Sequence, residues 1–383
     1  MRKFYLILMG LLFLILETAC SNHASSQATL TTDLQKYLDQ WRVSYHLPGA
    51  AMTVIIPGQN HSPDQMINLQ SGVANLETKA PIAPETLFQI CSITKTYTAV
   101  LILKLEQEHQ LSINQTIGDW LPEYPQWSQV TIKQLLNMTS GIPSYTNDPK
   151  FNQAWQANPE KYWTPQEALN FVKDKPFLYT PGSGWNYDDA NYVLLGLIIE
   201  KASGKTYEQN LQDNILKPLG LTHTYYVPYA YSDAWLKRLA TGYSDKNQVA
   251  MNVNMSQANA AGAMIATTQD TAMFVHDLFS GEILNQQEMS EMLTAYSATT
   301  GKILLPNDHS NGFGLGMNRW WLEQEQSYCW FKPGGFVGFF DYVFILNKNK
   351  IVIMIAANQW SDKAFMGLPR VFAPELYQMF ENK

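Results

Sequence analysis

Apolar and polar positions follow distinct periods along this chain, and those periods predict its elements. The apolar positions of 31–45 recur at helical spacing, which predicts a helix. The apolar, β-branched run 50–56 predicts a buried strand, and the alternating run 66–73 predicts its hairpin partner. A second helix is predicted from about Ser92. Its run 100–105 is apolar almost all round, so we expect this helix to lie deep in the core.

The order of the elements predicts two lobes within one domain over 29–383. Helices and loops dominate 110–270, whereas the last third returns to strands and ends in a helix after Asp362. Helical patterns occupy 131–138, 164–172 and 191–202, and the clearest strand patterns are 313–317, 339–346 and 351–356. This order predicts an α/β lobe from 29–109 and 271–383, with a mostly helical lobe of 110–270 inserted into it. A cleft between two lobes is a natural ligand site.

Composition narrows the classes of function. Of the 383 residues, 46% are hydrophobic and 15% are charged, which supplies enough apolar side chains for a large core. The net charge is −7 and no basic run occurs, so nucleic-acid binding is not expected. Three cysteines are too few for a disulfide scaffold. The seven histidines show no metal-binding spacing and no cofactor motif is present, so neither a metal nor a cofactor is predicted.

The first 28 residues have the pattern of an export signal followed by a tether. A positively charged start precedes the apolar run 4–16, which is too short to span a bilayer. Segment 19–21 is similar to the end of a bacterial lipoprotein signal, in which Cys20 would carry a lipid, although Glu17 departs from that pattern. Segment 26–28 offers an ordinary cleavage site instead. We therefore expect export to the periplasm or cell envelope, and the sequence leaves attachment to the membrane through Cys20 open.

One short motif carries candidate chemistry. Ser92-Ile93-Thr94-Lys95 is the only Ser-x-x-Lys in the chain, and it opens the apolar second helix. Residues three apart on a helix lie ~5–6 Å apart at Cβ, so Lys95 reaches the Ser92 oxygen. A serine hydroxyl needs a base to become a nucleophile. Burial and the helix dipole lower a lysine's pKa and make it a feasible base. The alternative is a serine that caps the helix and a lysine in solvent.

Further segments decide between these alternatives. They resemble, in order, motifs of the serine β-lactamase and penicillin-binding-protein superfamily, especially its class C β-lactamase-like branch. The segments are Phe88–Lys95, Val130–Pro143 with Thr139-Ser140-Gly141, Tyr179–Tyr187 before Asn191–Gly196, Ala261-Gly262 before Thr267–Asp270, and Lys332-Pro333-Gly334-Gly335 before Gly338-Phe339. The resemblance spans about 32–360. It implies the fold of serine β-lactamases and D-alanyl-D-alanine peptidases, an antiparallel sheet flanked by helices with an inserted helical lobe.

The resemblance also implies roles for individual residues. Ser92 attacks a carbonyl group and forms an acyl-enzyme, while Lys95 and Tyr187 share the general-base work. The oxyanion sits between the backbone N–H groups of Ser92 and Gly335. Because Gly335 has no side chain, we expect a substrate backbone to approach that strand closely. Lys332 is placed to attract a substrate carboxylate.

Two segments imitate the motifs. Tyr145-Thr146-Asn147 is a literal Tyr-x-Asn, but it lies in the loop after Ser140-Gly141. Tyr187, which follows Pro181-Gly182 and directly precedes a helix, has the context that the resemblance requires. Glu167-Ala168-Leu169-Asn170 is similar to the deacylating motif of class A β-lactamases, but it lies within an amphipathic helical pattern. We therefore favour Tyr187 and interpret Glu167 as helix surface.

Two departures from the motifs limit what the resemblance implies about substrate. Pro333 replaces the usual Thr or Ser and removes a hydroxyl that would bind a carboxylate. Asp189 stands where Asn is common, so a donor to a substrate carbonyl is lost, although Asp189 still holds Lys95 and favours its protonated form. The prediction is an exported serine hydrolase that acts on an ester, an amide or a D-amino-acid peptide bond, its substrate a small molecule or a cell-wall peptide.

Alternatives remain at this point. One alternative with the same fold is a D-alanyl-D-alanine carboxypeptidase or a class C-like β-lactamase. An alternative from another class of protein is a non-catalytic penicillin-binding sensor or scaffold of the envelope.

Two cysteines lie near the motifs. Cys91 precedes the nucleophile, and Cys329 lies three residues before Lys332. If the two motifs meet, these cysteines are neighbours, and either a disulfide or two buried thiols would result.

Overall fold

The structure is a computed structural model that describes residues 28–58, 62–244, 247–248, 253–323, 326–368 and 373–381. The predicted export signal and Cys20 lie outside these residues. None of the described helices combines the length and the apolar character that are needed to cross a membrane.

A large antiparallel sheet is built by both ends of the chain. The strands of the structure, in chain order, are β1 Gly49–Ile56, β2 Gln65–Gly72, β3 Phe88–Gln89, β4 Thr224–Tyr226, β5 Tyr243–Ser244, β6 Asn247–Gln248, β7 Met264–Ala266, β8 Tyr296–Ser297, β9 Gly312–Phe313, β10 Asn318–Leu322, β11 Ser327–Phe336, β12 Phe339–Leu346, β13 Val352–Ala357 and β14 Gln359–Trp360. Within the described residues, eight of them form the main sheet in the order β2-β1-β13-β12-β11-β10-β9-β8. Two three-stranded sheets, β14-β5-β6 and β3-β7-β4, accompany it.

Helices cover both faces of this sheet and fill the middle of the chain. They are α1 28–44, α2 Thr94–Gln107, α3 Ile117–Trp120, α4 Ile132–Leu136, α5 Pro149–Ala157, α6 Pro165–Leu169, α7 Asp189–Ser203, α8 Tyr207–Leu211, α9 Asp233–Leu236, α10 Thr268–Ser280, α11 Gln286–Met292, α12 Asp362–Gly367 and α13 Ala373–Glu381. A 3₁₀ turn, Cys91–Ile93, directly precedes α2. The boundaries given above for the two lobes stay a prediction.

The side chains of β12 explain why helices are needed on both faces. Every residue of this strand is buried. Phe340 and Phe344 pack in the cluster that includes Leu38 of α1. Val343 and Ile345, which point the other way, pack in the cluster that includes α2. Successive side chains of a strand alternate between the faces of a sheet, so a strand that is apolar throughout requires cover on both sides.

The structure confirms most of the predicted elements and corrects one. The predicted strand over 313–317 is wrong, because the chain turns sharply after Phe313. Gly316 has φ +91°, and a β-carbon there would lie 2.8 Å from the Cβ atom of Ala99 on α2. The hydroxyl of Thr96 donates a hydrogen bond to the Gly316 carbonyl at 3.0 Å. This turn therefore braces α2 instead of extending the sheet. Helix α10 is absent from the sequence-based predictions.

Candidate active site

The candidate nucleophile lies on a strained turn. Cys91 has φ +46°, a left-handed conformation that is uncommon for a residue with a side chain. The Cys91 thiol donates to the Gln89 carbonyl at 3.2 Å. On the other side, a β-carbon at Gly334 would lie 2.3 Å from the Ile90 carbonyl oxygen, so the glycine allows strand β11 to approach the turn. These contacts hold Ser92 between β11 and the start of α2.

Lys95 lies in the first turn of α2 and is fully buried. Its Nζ atom donates to Ser92 Oγ at 3.1 Å, to Asp189 Oδ1 at 2.5 Å and to the Ala261 carbonyl at 2.8 Å. Burial lowers the pKa of Lys95, but the charge of Asp189 and the nearby Tyr187 outweigh burial and raise the pKa above its ordinary value. This direction is the one that the aspartate at 189 implies, and it is opposite to the lowering that burial and the helix dipole alone would give. The carboxylate at 189 keeps Lys95 protonated, as the departure from Asn implies.

Tyr187 lies between two lysines. The Lys332 Nζ atom donates to the Tyr187 hydroxyl oxygen at 3.1 Å, and Lys95 Nζ lies 5.0 Å from the centre of the Tyr187 ring. Burial raises the pKa of Tyr187, but the charges of Lys332 and Lys95 outweigh it, and the pKa falls below its ordinary value. A hydrogen bond with the Ser92 side chain lowers it further. The phenolate form of Tyr187, which can accept a proton, is therefore reached at a lower pH than in an ordinary tyrosine.

Two adjacent aspartates begin α7 and have different environments. Asp188 caps the helix by accepting from the Ala190 amide at 2.9 Å, and its side chain is buried. Burial raises the pKa of Asp188 to about 7. Asp189, the first residue of the helix, keeps 24% of its side chain exposed while it pairs with Lys95. The cap thus fixes the start of α7 where the Asp189 carboxylate meets the site.

A cleft of about 490 Å³ opens at Ser92. It is lined by Cys91, Ser92, Thr146, Asp189, Met255, Gln257, Ala258, Ala261, Gly262, Gly335 and Phe336. The structure adds a second reason for a glycine at 335. A β-carbon on Gly335 would lie 2.5 Å from the Trp360 ring and 3.4 Å from Phe365, so packing against these two rings already requires glycine.

The structure brings the predicted site residues together, and the side chains of Tyr145 and Glu167, from the two motif-like segments, are not among them. Lys95 is hydrogen-bonded to Ser92 and Asp189, and Lys332 is hydrogen-bonded to Tyr187. The two groups adjoin, because Lys95 Nζ lies 5.0 Å from the centre of the Tyr187 ring. Gly335 lines the same cleft.

The side chains of the imitating segments are engaged elsewhere. Tyr145 is fully buried, and its hydroxyl donates to the Gln257 carbonyl at 2.6 Å. Glu167 takes part in a capping box with Thr164 and pairs with Lys161.

Some lining residues were not predicted. Thr146 lies inside the rejected Tyr-x-Asn segment, and Met255 and Gln257 precede the Ala261-Gly262 segment. Proximity in sequence to a recognised motif was the one available signal for them. Phe336 follows Gly335, where the strand ends.

The cysteine alternatives are also decided. Cys91 and Cys329 are both buried, and no disulfide joins them. Burial raises the pKa of the Cys91 thiol well above its ordinary value, and buried Asp341 adds to the effect. Cys91 therefore serves as a small buried side chain in the turn and not as a nucleophile.

Among the described residues, no group of three or more His, Cys, Asp or Glu side chains is placed to hold a metal ion.

Comparison with known proteins places the chain in a family. Residues 29–372 match the Beta-lactamase family. The match covers most of the chain, and the chain belongs to that family. Protein flp of Staphylococcus aureus (strain MW2) is 26% identical over 328 residues, which make up 83% of this chain and 61% of that protein. The chain thus spans less than two thirds of the length of the first curated relatives that it matches.

Solved structures share the fold. The D-amino acid amidase from Ochrobactrum anthropi SV3, in complex with L-phenylalanine amide, aligns with a TM-score of 0.78 and 25% identity over 92% of this chain and 99% of that chain. A D-stereospecific amidohydrolase from Streptomyces sp. aligns with a TM-score of 0.73 and 25% identity over 89% of this chain and 97% of that chain. The fold class and the superfamily predicted from the sequence are confirmed. The family and its amidase neighbours indicate a serine hydrolase.

Proposed function

We propose that this protein hydrolyses an ester or amide bond through an acyl-enzyme on Ser92. The observation that carries the proposal is the arrangement around the Ser92 oxygen. That oxygen accepts a hydrogen bond from Lys95 at 3.1 Å, so its own O–H remains available as a donor to Tyr187. The pKa of Tyr187 lies below its ordinary value because of its two lysine neighbours. A serine with a positioned acceptor for its proton is the requirement for covalent acyl transfer.

Each proton has a place in the proposed reaction. Ser92 Oγ bonds to the substrate carbonyl carbon while its proton passes to the Tyr187 oxygen. When the carbonyl re-forms, the bond to the leaving group breaks and Tyr187 returns the proton to the departing oxygen or nitrogen. A water molecule then gives a proton to the Tyr187 oxygen and attacks the acyl carbon. When the carbonyl re-forms, the bond to Ser92 Oγ breaks, Tyr187 returns the proton to Ser92 Oγ, and the acid is released. Lys95 remains protonated throughout, because Asp189 raises its pKa.

The developing oxyanion needs donors that are already in place. We propose the backbone N–H groups of Ser92 and Gly335, since both residues line the same cleft. Strand β11 and the nucleophile turn are held against each other by the close approach of Gly334 to Ile90. Fixed donors cost little reorganisation at the moment of reaction, which is why removing one typically lowers kcat by ~10²–10³.

Active-site labelling tests the proposal. A fluorescent phosphonate should label the natural protein, and Ser92→Ala should abolish the label. Ser280→Ala, which removes an exposed serine hydroxyl on α10, is the matched control and should label normally. Hydrolysis of p-nitrophenyl acetate should follow the same pattern. Equal labelling of Ser92→Ala and Ser280→Ala would show that Ser92 is not the nucleophile.

A pair of tyrosine variants tests the base. Tyr187→Phe should lower the rate of acylation by roughly 10²-fold or more, the usual contribution of a general base. Tyr145→Phe, in the literal Tyr-x-Asn segment, should retain near-natural acylation because its hydroxyl serves the Gln257 carbonyl. The reverse order of effects would identify Tyr145 as the base. Labelling without any turnover of esters or amides would instead support a non-catalytic binding protein.

A further inference from the structure

The charges around the cleft are arranged unevenly. Among the described lining residues, Asp189 is the one with a carboxylate side chain, and burial raises the pKa of the Cys91 thiol well above its ordinary value. The other described residues of the lining are uncharged. The charged side chain that lines the cleft is therefore a carboxylate, and the ammonium of Lys95 lies behind it, paired with Asp189 Oδ1.

The nearby lysines are withdrawn from the cleft. Lys95 and Lys332 both have 0% exposure, and neither belongs to the lining. The three N–H bonds of the Lys95 ammonium are matched by its contacts with Ser92, Asp189 and the Ala261 carbonyl. Lys332 donates to Tyr187. Lys332 was expected to attract a substrate carboxylate, but its ammonium group is not exposed to the cleft. Pro333 has no hydroxyl that could bind the carboxylate instead.

Asp189 retains the capacity to bind a cation. Its Oδ1 atom accepts from Lys95, whereas Oδ2 has no hydrogen-bond partner among the described residues. About a quarter of the side chain is open, at 24% exposure. A carboxylate offers about four lone-pair sites, so Oδ2 remains free to accept from a second ammonium group. Hydrogen bonds between ionised partners are roughly twice as strong as neutral ones.

We propose that the substrate carries a protonated amino group beside the scissile carbonyl, and that the Asp189 carboxylate binds it. This inference rests on the proposed function and names its substrate class: esters and amides of free α-amino acids. An acylamino group in the same place offers a carbonyl, which an aspartate cannot serve as a donor. A terminal carboxylate is repelled by the same side chain. Asp189 thus determines specificity at the position where an asparagine would favour acylated substrates.

The test compares three substrates that differ at one group. They are alanine p-nitroanilide, N-acetyl-alanine p-nitroanilide and propionyl p-nitroanilide, the first two in both D and L forms. At pH 6.5 the better enantiomer of the free amine should have a kcat/KM at least about tenfold above that of either neutral substrate, as expected for a charge-assisted contact. The preference should decline as the pH passes about 8, where an α-amino group loses its proton.

Variants locate the preference. Asp189→Asn should reduce the free-amine preference to less than about threefold. Because the ratio is taken within each variant, a general loss of rate does not affect it. Asp188→Asn is the matched control: it alters the neighbouring buried carboxyl, which does not line the cleft, and should retain the preference. If Asp189→Asn is inactive, the preference is measured as binding to the natural protein instead. Alaninamide should protect Ser92 of the natural protein from phosphonate labelling better than propionamide does.

The outcomes separate the two proposals. If no substrate is hydrolysed in a Ser92-dependent way and no label is taken up, the proposed function is overturned. If Ser92-dependent hydrolysis occurs with equal kcat/KM for free and neutral substrates, the inference about Asp189 is overturned while the proposed function stands. A preference that survives in Asp189→Asn would also overturn the assignment to Asp189.

Discussion

The ammonium of Lys332 and the hydroxyl of Tyr187 form a buried pair, with 3.1 Å between Nζ and Oη. Lys332 comes from strand β11 and Tyr187 from the residues just before α7, so the pair joins the sheet to the helical part of the chain. Burial lowers the pKa of Lys332, with a further contribution from the charge of Lys95. The pair is thus the contact through which the sheet adjusts the acidity of the candidate base.

Removing this lysine should move the pH dependence of the reaction. In Lys332→Met the Tyr187 pKa loses its main lowering influence and rises. The proton-accepting form then appears only at higher pH, so the acidic limb of the kcat/KM profile should shift upward by about one pH unit or more. Profiles with p-nitrophenyl acetate from pH 5 to 10 measure the shift. An unchanged limb would assign that limb to another group.

The aspartate at 189 should disfavour β-lactams. The natural protein should hydrolyse a p-nitrophenyl ester more efficiently than nitrocefin. Asp189→Asn restores a donor for a substrate carbonyl and removes the charge that raises the Lys95 pKa. Its acylation by penicillins, relative to that by the ester, should increase about 2–10-fold, the effect of one hydrogen bond. Efficient nitrocefin hydrolysis by the natural protein, or an unchanged ratio in the variant, would contradict this explanation.

Asp188 should make stability depend on pH. Its pKa is about 7 in the folded protein, against an ordinary value of 3.8, because its side chain is buried. A raised pKa means that the folded state holds the proton more tightly. The contribution is therefore fully present below about pH 4 and is lost as the pH rises through 7, with an upper bound of about 4 kcal/mol.

Asp188→Asn keeps an oxygen to cap α7 but no longer titrates. It should be more stable than the natural protein at pH 8, and the difference should shrink towards pH 4. Thermal unfolding of both proteins at several pH values measures this difference. A gap between the two proteins that is the same at every pH would show that Asp188 is not the titrating group.

The cysteines give a direct chemical check. Because no disulfide joins Cys91 and Cys329, protein that lacks residues 1–20 should show two reactive thiols after unfolding without a reducing agent. In the folded state both should react slowly, since both are buried. Ellman's reagent in the presence and absence of guanidinium distinguishes the two states. Fewer than two thiols in the unfolded protein would reveal a bridge.

The sequence sufficed for the parts of the site that are local. Ser92 and Lys95 are three residues apart on one turn, so helix geometry alone brings them together. The lysine's ionisation was not predictable in the same way. Burial and the helix dipole argued for a lowered pKa, whereas Asp189, 94 residues further on, reverses the direction.

Long-range packing explains the other corrections. The short strand at Gly312–Phe313 ends early because the following turn packs on Ala99, which lies more than 200 residues earlier in the chain. The packing of Trp360 and Phe365 against Gly335, a second reason for glycine there, was not foreseeable either. The sequence analysis did not single out Asp341, which lies in the buried strand β12, where burial raises its pKa well above its ordinary value. The local periodicity of the sequence does not show which distant residues pack at these positions or how deeply the positions are buried.

The pairing of β1 with β13 has a consequence for how the chain becomes a protein. Ala50 lies opposite Ala357, a partner about 300 residues later in the chain. Until that partner has been synthesised, β1 can form only its hairpin with β2, and an isolated hairpin is marginally stable at best. Folds dominated by such distant contacts also form slowly. We expect the main sheet to stay incomplete until synthesis is nearly finished, so that the edge of β1 is exposed during that time.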